Sequence, residues 1–312
     1  MKWQKKGFIC SHETFDIPWY KKNTIVPLPY LISDGRLRIY VTMCDELNIG
    51  RIGYIDVDPA NPSRILGYSK QPVLDVGTCG FFCKGIITAS LLKVEADLFL
   101  YYSGYQSASD APYRILSGVA VSRDNGHTFS NLSTKKPILG VITGEVYIRS
   151  SPYVIQEEDI FRVWYTADTL GEGPQETQKK CPPYNIRHLT VDSPYDWSLF
   201  SCKTGTVAIP IVNESEHGIG KGTIWKENGL YKIIYSIRTL GRGYRLGYAE
   251  SSDGYQFTRM DSQVGIDVSE GGWDSDMIVF PEIFKYLNKT YLFYSGNHYG
   301  MGGMGYAELS KS

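Results

Sequence analysis

The segment that decides the fold runs from Gly229 to Phe257 and reads GLYKIIYSIRTLGRGYRLGYAESSDGYQF. Its apolar residues alternate with polar ones, an aromatic–hydroxyl pair ends the first run, and a glycine-rich stretch leads into a second run. Alternation with a period of two is typical of β-strands, and glycines mark the turns between them. The segment therefore predicts a β-hairpin followed by a turn into an outer strand.

The same pattern occurs five times, at intervals of about 60 to 70 residues, which is the signature of a repeat architecture. An apolar or aromatic residue followed by a hydroxyl recurs at Val41-Thr42, Tyr102-Ser103, Tyr165-Thr166, Tyr235-Ser236 and Tyr294-Ser295. Each copy follows another apolar strand, and turn signals such as Asp34-Gly35 and Asn228-Gly229 join the two. The repeat predicts an all-β fold in which five four-stranded units form one five-bladed β-propeller over residues 1–312.

The last copy stops after its third strand, so we expect the N-terminal segment KWQKKGFIC, residues 2–10, to supply the missing outer strand. Two separate β-sandwiches are the alternative for an all-β chain of this length. Neither half of the sequence shows a boundary of its own, which favours the single propeller.

Composition limits the classes of partner. The chain has 312 residues, 32 Lys and Arg against 33 Asp and Glu, and a net charge of −1. Because no basic face is indicated, we expect no nucleic-acid partner. No signal peptide and no bilayer-spanning stretch is evident, so we expect a cytoplasmic protein without membrane contact. The oligomeric state stays open.

The six cysteines and five histidines lack the spacing of a metal site, so we expect no metal and no cofactor. A single central ion held mostly by water and one histidine is the alternative. Two glycine motifs are also excluded as nucleotide sites. Gly300-x-Gly302-x-x-Gly305 is followed by a strand where a dinucleotide site needs a helix. GIGKGT, residues 218–223, lacks the Ser or Thr that a phosphate-binding loop places after its lysine.

Several segments resemble the five-bladed propeller glycosidases, the grouping of arabinanases, xylosidases, invertases and mannoside phosphorylases. They are IGYIDVD, GVAVSRDNG and LGYAESSDG, with GWDSDMIVFPEIFKYLNKTYLFYSGN near the C-terminus. The resemblance covers essentially the whole chain and looks closest to uncharacterised glycosidase-like members. It implies a carbohydrate or a sugar nucleotide as the partner.

The sequence departs from that grouping where many of its members carry catalytic carboxylates. An Asp before Pro in the first blade corresponds to Leu28-Pro29, and one in the third blade to Ser151-Pro152. A Glu in the fourth blade corresponds to Lys221, and an Asp pair in the second blade to Phe82-Cys83. The alignment therefore indicates that the usual catalytic triad is absent.

Propeller geometry predicts which residues line one mouth of the central channel: those at the start of each first strand and those just after each recurring hydroxyl. The predicted catalytic carboxylates are Asp276, Glu216, Glu145 and Asp274. Asp274 and Asp276 are expected on the same side of an extended strand. The predicted substrate-binding residues are Trp273, Arg149, Tyr147, His217, Lys221, Arg238, Asp45, Asp168, Asn297 and His298.

Three functions remain open. The first is a glycosidase-like enzyme, whether hydrolase, phosphorylase or transferase, of intracellular sugar metabolism or glycan precursor assembly. The second is a non-catalytic carbohydrate-binding protein derived from a propeller glycosidase. In that case Lys221, Arg149 and Arg238 would recognise an anionic group such as a phosphate or a sugar acid. The third is a protein-binding propeller with an exposed apolar top face.

Overall fold

The chain folds almost entirely into β-strands. The computed structural model describes residues 1–32, 35–169, 182–198 and 202–310. Within these ranges the helical elements are short: α1 (Asn297–Gly300) and 3-10 turns at His12–Thr14 and Asp261–Gln263. The predicted all-β class is confirmed.

After β1 (Trp3–Cys10), consecutive strands of the described residues pair antiparallel in groups, called units below. Short parallel pairings join the second, third and fourth of these groups into one twelve-stranded sheet. Unit 1 contains β2 (Lys22–Leu31), β3 (Leu37–Cys44), β4 (Gly50–Asp58) and β5 (Asn61–Tyr68). Unit 2 contains β6 (Ile86–Val94), β7 (Asp97–Gln106), β8 (Arg114–Ser122) and β9 (Ser130–Asn131). Unit 3 contains β10 (Ile148–Glu157), β11 (Ile160–Asp168), β12 (Tyr184–Val191) and β13 (Thr206–Ile209). Unit 4 contains β14 (Glu216–Glu227), β15 (Leu230–Thr239), β16 (Arg245–Ser251) and β17 (Thr258–Arg259).

Unit 5 combines strands from opposite ends of the sequence. It contains β18 (Val279–Tyr286), β19 (Lys289–Ser295) and β20 (Met304–Leu309), and β1 pairs antiparallel with β20. The register runs from Trp3 opposite Leu309 to Cys10 opposite Met304. The N-terminal segment thus supplies the fourth strand of this unit.

Neighbouring units pack against each other through apolar side chains. The large core clusters each join one unit to the next, so that Val41 packs with Phe293 of unit 5 while Tyr40 packs with Leu100 of unit 2. Every residue of β3 is buried, because both faces of a second strand lie against a neighbour. The first strands contact one another in cyclic order, β18 with β2 included. Over the described residues, however, the hydrogen-bonded sheets themselves are open.

The recurring hydroxyls hold neighbouring units together. At four junctions within the described residues, a hydroxyl on a second strand accepts a hydrogen bond from a backbone N–H on the next unit's first strand. The pairs are Thr42 with Thr88, Ser103 with Ser151, Ser236 with Phe280, and Ser295 with Val26, at 2.8 to 3.3 Å. A buried N–H outside the strand ladder needs such an acceptor, which explains the hydroxyl in the repeat.

Candidate functional site

Each first strand carries a β-bulge at an equivalent place. The register shifts lie between Ile25 and Leu28, Thr88 and Ser90, Ser150 and Tyr153, Gly220 and Gly222, and Val279 and Glu282. In three of these bulges a non-glycine residue before a proline has a positive φ: 54° at Val26, 51° at Ser151 and 59° at Phe280. Residues held in this region carry backbone strain, which tends to concentrate at functional sites.

These bulges border a central cavity of about 310 Å³, to which the first strands of all five units contribute. Its apolar lining consists of Ile25, Val26, Ile87, Ile115, Ile148 and Phe280. Its tyrosines are Tyr105, Tyr113, Tyr184, Tyr244 and Tyr299. Its hydroxyl residues are Ser103, Ser150, Ser151, Thr166 and Ser236, and the remaining lining residues are Gly220, Lys221 and Arg238.

Few charged residues line the cavity. Within the described residues, no Asp or Glu belongs to the lining. Lys221 is buried, and its ammonium donates to Glu282 Oε2 at 2.7 Å, Gly222 O at 3.0 Å and Pro281 O at 3.4 Å. These acceptors account for the three N–H groups of a lysine, so Lys221 brings mainly its methylene stem to the cavity. Burial raises the pKa of Glu282, against the opposing effect of Lys221.

The tyrosines form two groups on the cavity wall. The hydroxyls of Tyr184 and Tyr244 are hydrogen bonded to each other, and Tyr299 lies edge-on to Tyr244 with ring centroids 5.7 Å apart. Tyr105 and Tyr113 are edge-on to each other at 5.3 Å. Such rings offer flat apolar faces with a polar tip, which suits a ligand that has both apolar faces and hydroxyl groups.

Lys221 and Arg238 are the two predicted site residues that line this cavity. The other predicted residues lie elsewhere, in contacts that hold the fold together. Glu216 is bound by the guanidinium of Arg259 at 2.7 and 2.8 Å, and the same guanidinium reaches Asp261 at 2.7 Å. Burial alone would raise the pKa of Glu216, but hydrogen bonds, first of all from Arg259, lower it to about 2. An acid held ionised in this way is poorly suited to donate a proton near neutral pH.

Glu145 and Arg149, predicted as catalytic and substrate-binding, form a buried ion pair with each other at 2.6 Å. Tyr165 donates its hydroxyl to Glu145, and the guanidinium of Arg149 donates to the carbonyls of Gly140 and Lys203 at 2.9 Å. The side chains of Glu145 and Arg149 are 1% and 0% exposed, so both charged groups are buried. Burial raises the pKa of Glu145, with Arg149 opposing. This pair joins the strands and loops of unit 3.

The expectation that Asp274 and Asp276 lie on the same side of an extended strand is wrong, because residues 273–276 form a turn. Asp274 is buried against Lys5 at 2.7 Å and Tyr294 at 2.9 Å, whereas Asp276 is exposed. Trp273 stacks on Tyr294 with centroids 5.1 Å apart. One face of the indole is therefore covered by the protein itself.

Three further predicted residues organise backbone turns. Asn297 accepts from the N–H groups of Asp276 and Met277 through Oδ1. Asp168 is buried, accepts from three successive N–H groups including that of Ile148 at 2.8 Å, and has a pKa raised by burial. Asp45 accepts from two N–H groups of its own loop and from Arg51 at 2.7 Å.

The remaining predicted residues also do not belong to the cavity lining. Tyr147 donates its hydroxyl to Asp110 at 2.8 Å. His217 lies edge-on to Tyr184 at 6.0 Å. His298 is exposed, has a positive φ of 53°, and its carbonyl accepts from Asn23 at 2.8 Å.

Sequence reasoning missed Val26, Phe280 and most of the tyrosines. In unit 1 the sequence alignment points to Leu28-Pro29, but the bulge that borders the cavity is at Val26-Pro27, and Leu28 is buried in the core. A usable signal is present, since Val26, Ser151 and Phe280 are each followed by proline within a first strand. Proline in a strand marks an edge or a bulge.

No group of three or more His, Cys, Asp or Glu side chains that could hold a metal ion is found in the described ranges. The helices of these same ranges are too short to cross a membrane.

No protein-family profile matches the chain. Uncharacterized protein Rv1502 of Mycobacterium tuberculosis (strain ATCC 25618 / H37Rv) is 30% identical over 314 residues, covering 100% of both proteins. Uncharacterized protein MT1551 of strain CDC 1551 / Oshkosh matches to the same extent. The chain thus belongs to the family of these mycobacterial proteins. Their names assign no activity.

Solved structures show the fold. A glycoside hydrolase structure has a TM-score of 0.70 at 17% identity, over 99% of the present chain and 91% of its own. A thermostable family-43 glycoside hydrolase has a TM-score of 0.69 at 12% identity, over 95% and 92%. A glycosyl hydrolase from Bacteroides ovatus has a TM-score of 0.69 at 13% identity, over 99% and 90%. The chain therefore has a glycoside hydrolase-like fold along almost its whole length.

Proposed function

We propose that the chain is a carbohydrate-active protein of the glycoside hydrolase-like type that binds a sugar in the central cavity without cleaving it. One observation carries this proposal: the cavity is lined by tyrosines and hydroxyls, and no carboxylate is among its described lining residues. Tyrosine rings can stack on the C–H faces of a sugar while hydroxyls bond its oxygens.

Hydrolysis of a glycoside normally needs two carboxylates on either side of the scissile bond, about 5 to 10 Å apart. Glu282, which lies behind Lys221, is tied up in a buried ion pair with it. The carboxylates of Glu145 and Glu216 are likewise held by arginines. These contacts favour a binding function over glycosidase activity. The glycosidase alternative is supported only by the similarity of the fold to glycoside hydrolases.

We also propose that the five units are the blades of a single five-bladed propeller. Three observations support this arrangement: the four-strand pairing, the cyclic order of contacts between first strands, and the hydroxyl bonds. One of those bonds, between Ser295 and the N–H of Val26, joins unit 5 to unit 1. The central cavity would then lie on the propeller axis.

Titration calorimetry tests the proposed function with a panel of monosaccharides, methyl glycosides, sugar phosphates and sugar nucleotides. Product release is followed in the same samples by chromatography. We expect saturable binding of at least one sugar and no product. Tyr299→Ala should weaken that binding about fivefold, because a stacked ring contributes on the order of 1 kcal/mol.

The matched control is Tyr195→Ala, since Tyr195 is 52% exposed and outside the cavity, while Tyr299 is 43% exposed and lines it. Equal losses in both variants, or no binding by any sugar, would contradict the proposal. Release of a product from a glycoside would replace it with the enzyme alternative.

A further inference from the structure

The cavity has an apolar ring, defined here as Val26, Ile87, Ile148, Phe280 and the methylene groups of Lys221. The first strand of each of the five units supplies one member. A sugar presents hydroxyls around most of its edge, so this set of apolar side chains is an unusual partner for a bare sugar.

Several polar groups near this ring are already used by the protein. The Ser236 hydroxyl accepts a hydrogen bond from the N–H of Phe280 and donates one to the carbonyl of Lys221 at 3.4 Å. The Ser103 hydroxyl accepts from Ser151 N at 2.8 Å. The Lys221 ammonium is bound to Glu282 and two carbonyls. A ligand hydroxyl placed against the ring would therefore lose its water, and these three side chains would offer it few replacement hydrogen bonds.

The backbone does not dictate these apolar residue types. Val26 and Phe280 have φ values of 54° and 59°, a region where asparagine and glycine are favoured and a β-branched residue is an outlier. The sequence nevertheless places large apolar side chains there. Phe280 is only partly buried, so packing within the protein leaves part of its ring facing the cavity.

We propose that the ligand is a sugar bearing an alkyl or aryl group, as an aglycone or an ether, and that this group occupies the apolar ring. This inference rests on the proposed function, because the tyrosine wall would hold the sugar part. Burial of each methylene should then raise affinity about fourfold until the ring is filled.

The experiment measures binding of matched probes by calorimetry: D-glucose, D-galactose and D-mannose, their methyl, butyl and hexyl glycosides, and 1-hexanol alone. We expect one sugar series in which affinity rises about fourfold per methylene over the first carbons, with hexanol far weaker than the hexyl glycoside. Equal affinity of the free sugar and its alkyl glycosides would overturn this inference and leave the proposed function standing. Hexanol binding as tightly as every hexyl glycoside would overturn the proposed function, and absence of binding by every probe would overturn both.

Two variants make the same apolar-to-asparagine change at similar backbone angles. Phe280→Asn removes a ring member where φ is 59°, and Leu287→Asn changes a side chain that is 84% exposed, outside the cavity, where φ is 51°. Because asparagine tolerates this conformation, both proteins should still fold. Phe280→Asn also loses apolar contacts with the neighbouring core, so it should have the lower melting temperature of the two. We expect Phe280→Asn to reduce the increase in affinity to below about twofold per methylene of the alkyl group. Leu287→Asn should leave this increase unchanged. An unchanged gain in folded Phe280→Asn would contradict the inference.

Discussion

Replacing Glu216 by glutamine separates a structural role from a catalytic one. The carboxylate accepts two hydrogen bonds from Arg259, one from Asn213 and one from the N–H of Val212, and its side chain is 6% exposed. Glutamine keeps the shape but lacks the charge. We therefore expect Glu216→Gln to destabilise the fold while leaving ligand affinity in the central cavity unchanged.

The magnitude follows from the pKa of Glu216, which is lowered from 4.5 to about 2. This difference corresponds to an upper limit of about 3 kcal/mol in the free energy of unfolding. Allowing for screening by nearby solvent lowers the expected loss to roughly 2 kcal/mol at pH 7. Since the folded pKa is the lower one, this stabilisation is fully present above pH 4.5 and disappears as the pH falls towards 2.

Urea unfolding of the wild type and the variant at pH 7, 5 and 3 provides the assay. The difference in unfolding free energy should stay at roughly 2 kcal/mol down to pH 5 and shrink by about half at pH 3. Glu158→Gln is the control, because Glu158 is an exposed turn residue. A pH-independent difference, or none at all, would refute the reasoning. Loss of ligand binding in a fully folded Glu216→Gln protein would return Glu216 to the functional site.

Three further changes test other parts of the structure. Ser236→Ala leaves the N–H of Phe280 without its acceptor, so unfolding should become easier by about 1 to 3 kcal/mol in urea titrations; an unchanged midpoint would show that the hydroxyl link is dispensable. Lys221→Met leaves the buried carboxylate of Glu282 unpaired and should cost about 3 to 5 kcal/mol, whereas adding Glu282→Leu should restore most of it; a double variant no more stable than the single one would contradict the pairing argument. Deleting residues 1–10 exposes one edge of unit 5 and should give an aggregation-prone protein by size-exclusion chromatography, and a monomeric, cooperatively unfolding product would argue against this role of the segment.

The strands and their hairpins could be predicted from the sequence, because both depend on residues close together along it. The alternation around Tyr235-Ser236 indicates a strand without knowledge of its neighbours. The missing fourth strand of the last copy also points to the N-terminal segment, which the structure places beside β20.

The candidate site is harder to predict, for two physical reasons. A bulge adds a residue to one strand and changes which side chains face the cavity, so counting along the first strand gives Leu28 where Val26 borders the cavity. The partner of a charged residue also comes from a distant part of the sequence. Glu216 is bound by Arg259, 43 residues away, and this contact leaves no trace in local sequence patterns.

The pairing of β1 with β20 has a consequence for how the protein folds during synthesis. β1 (Trp3–Cys10) leaves the ribosome well before its partner β20 (Met304–Leu309), which follows on the order of 15 to 60 s later at about 5 to 20 residues per second. Until then β1 is an unpaired strand able to associate with other nascent chains. Its two adjacent lysines, Lys5 and Lys6, would discourage such pairing by charge repulsion. In the folded protein Lys5 forms an ion pair with Asp274. The same charge that discourages wrong pairing of β1 therefore also stabilises its position in unit 5.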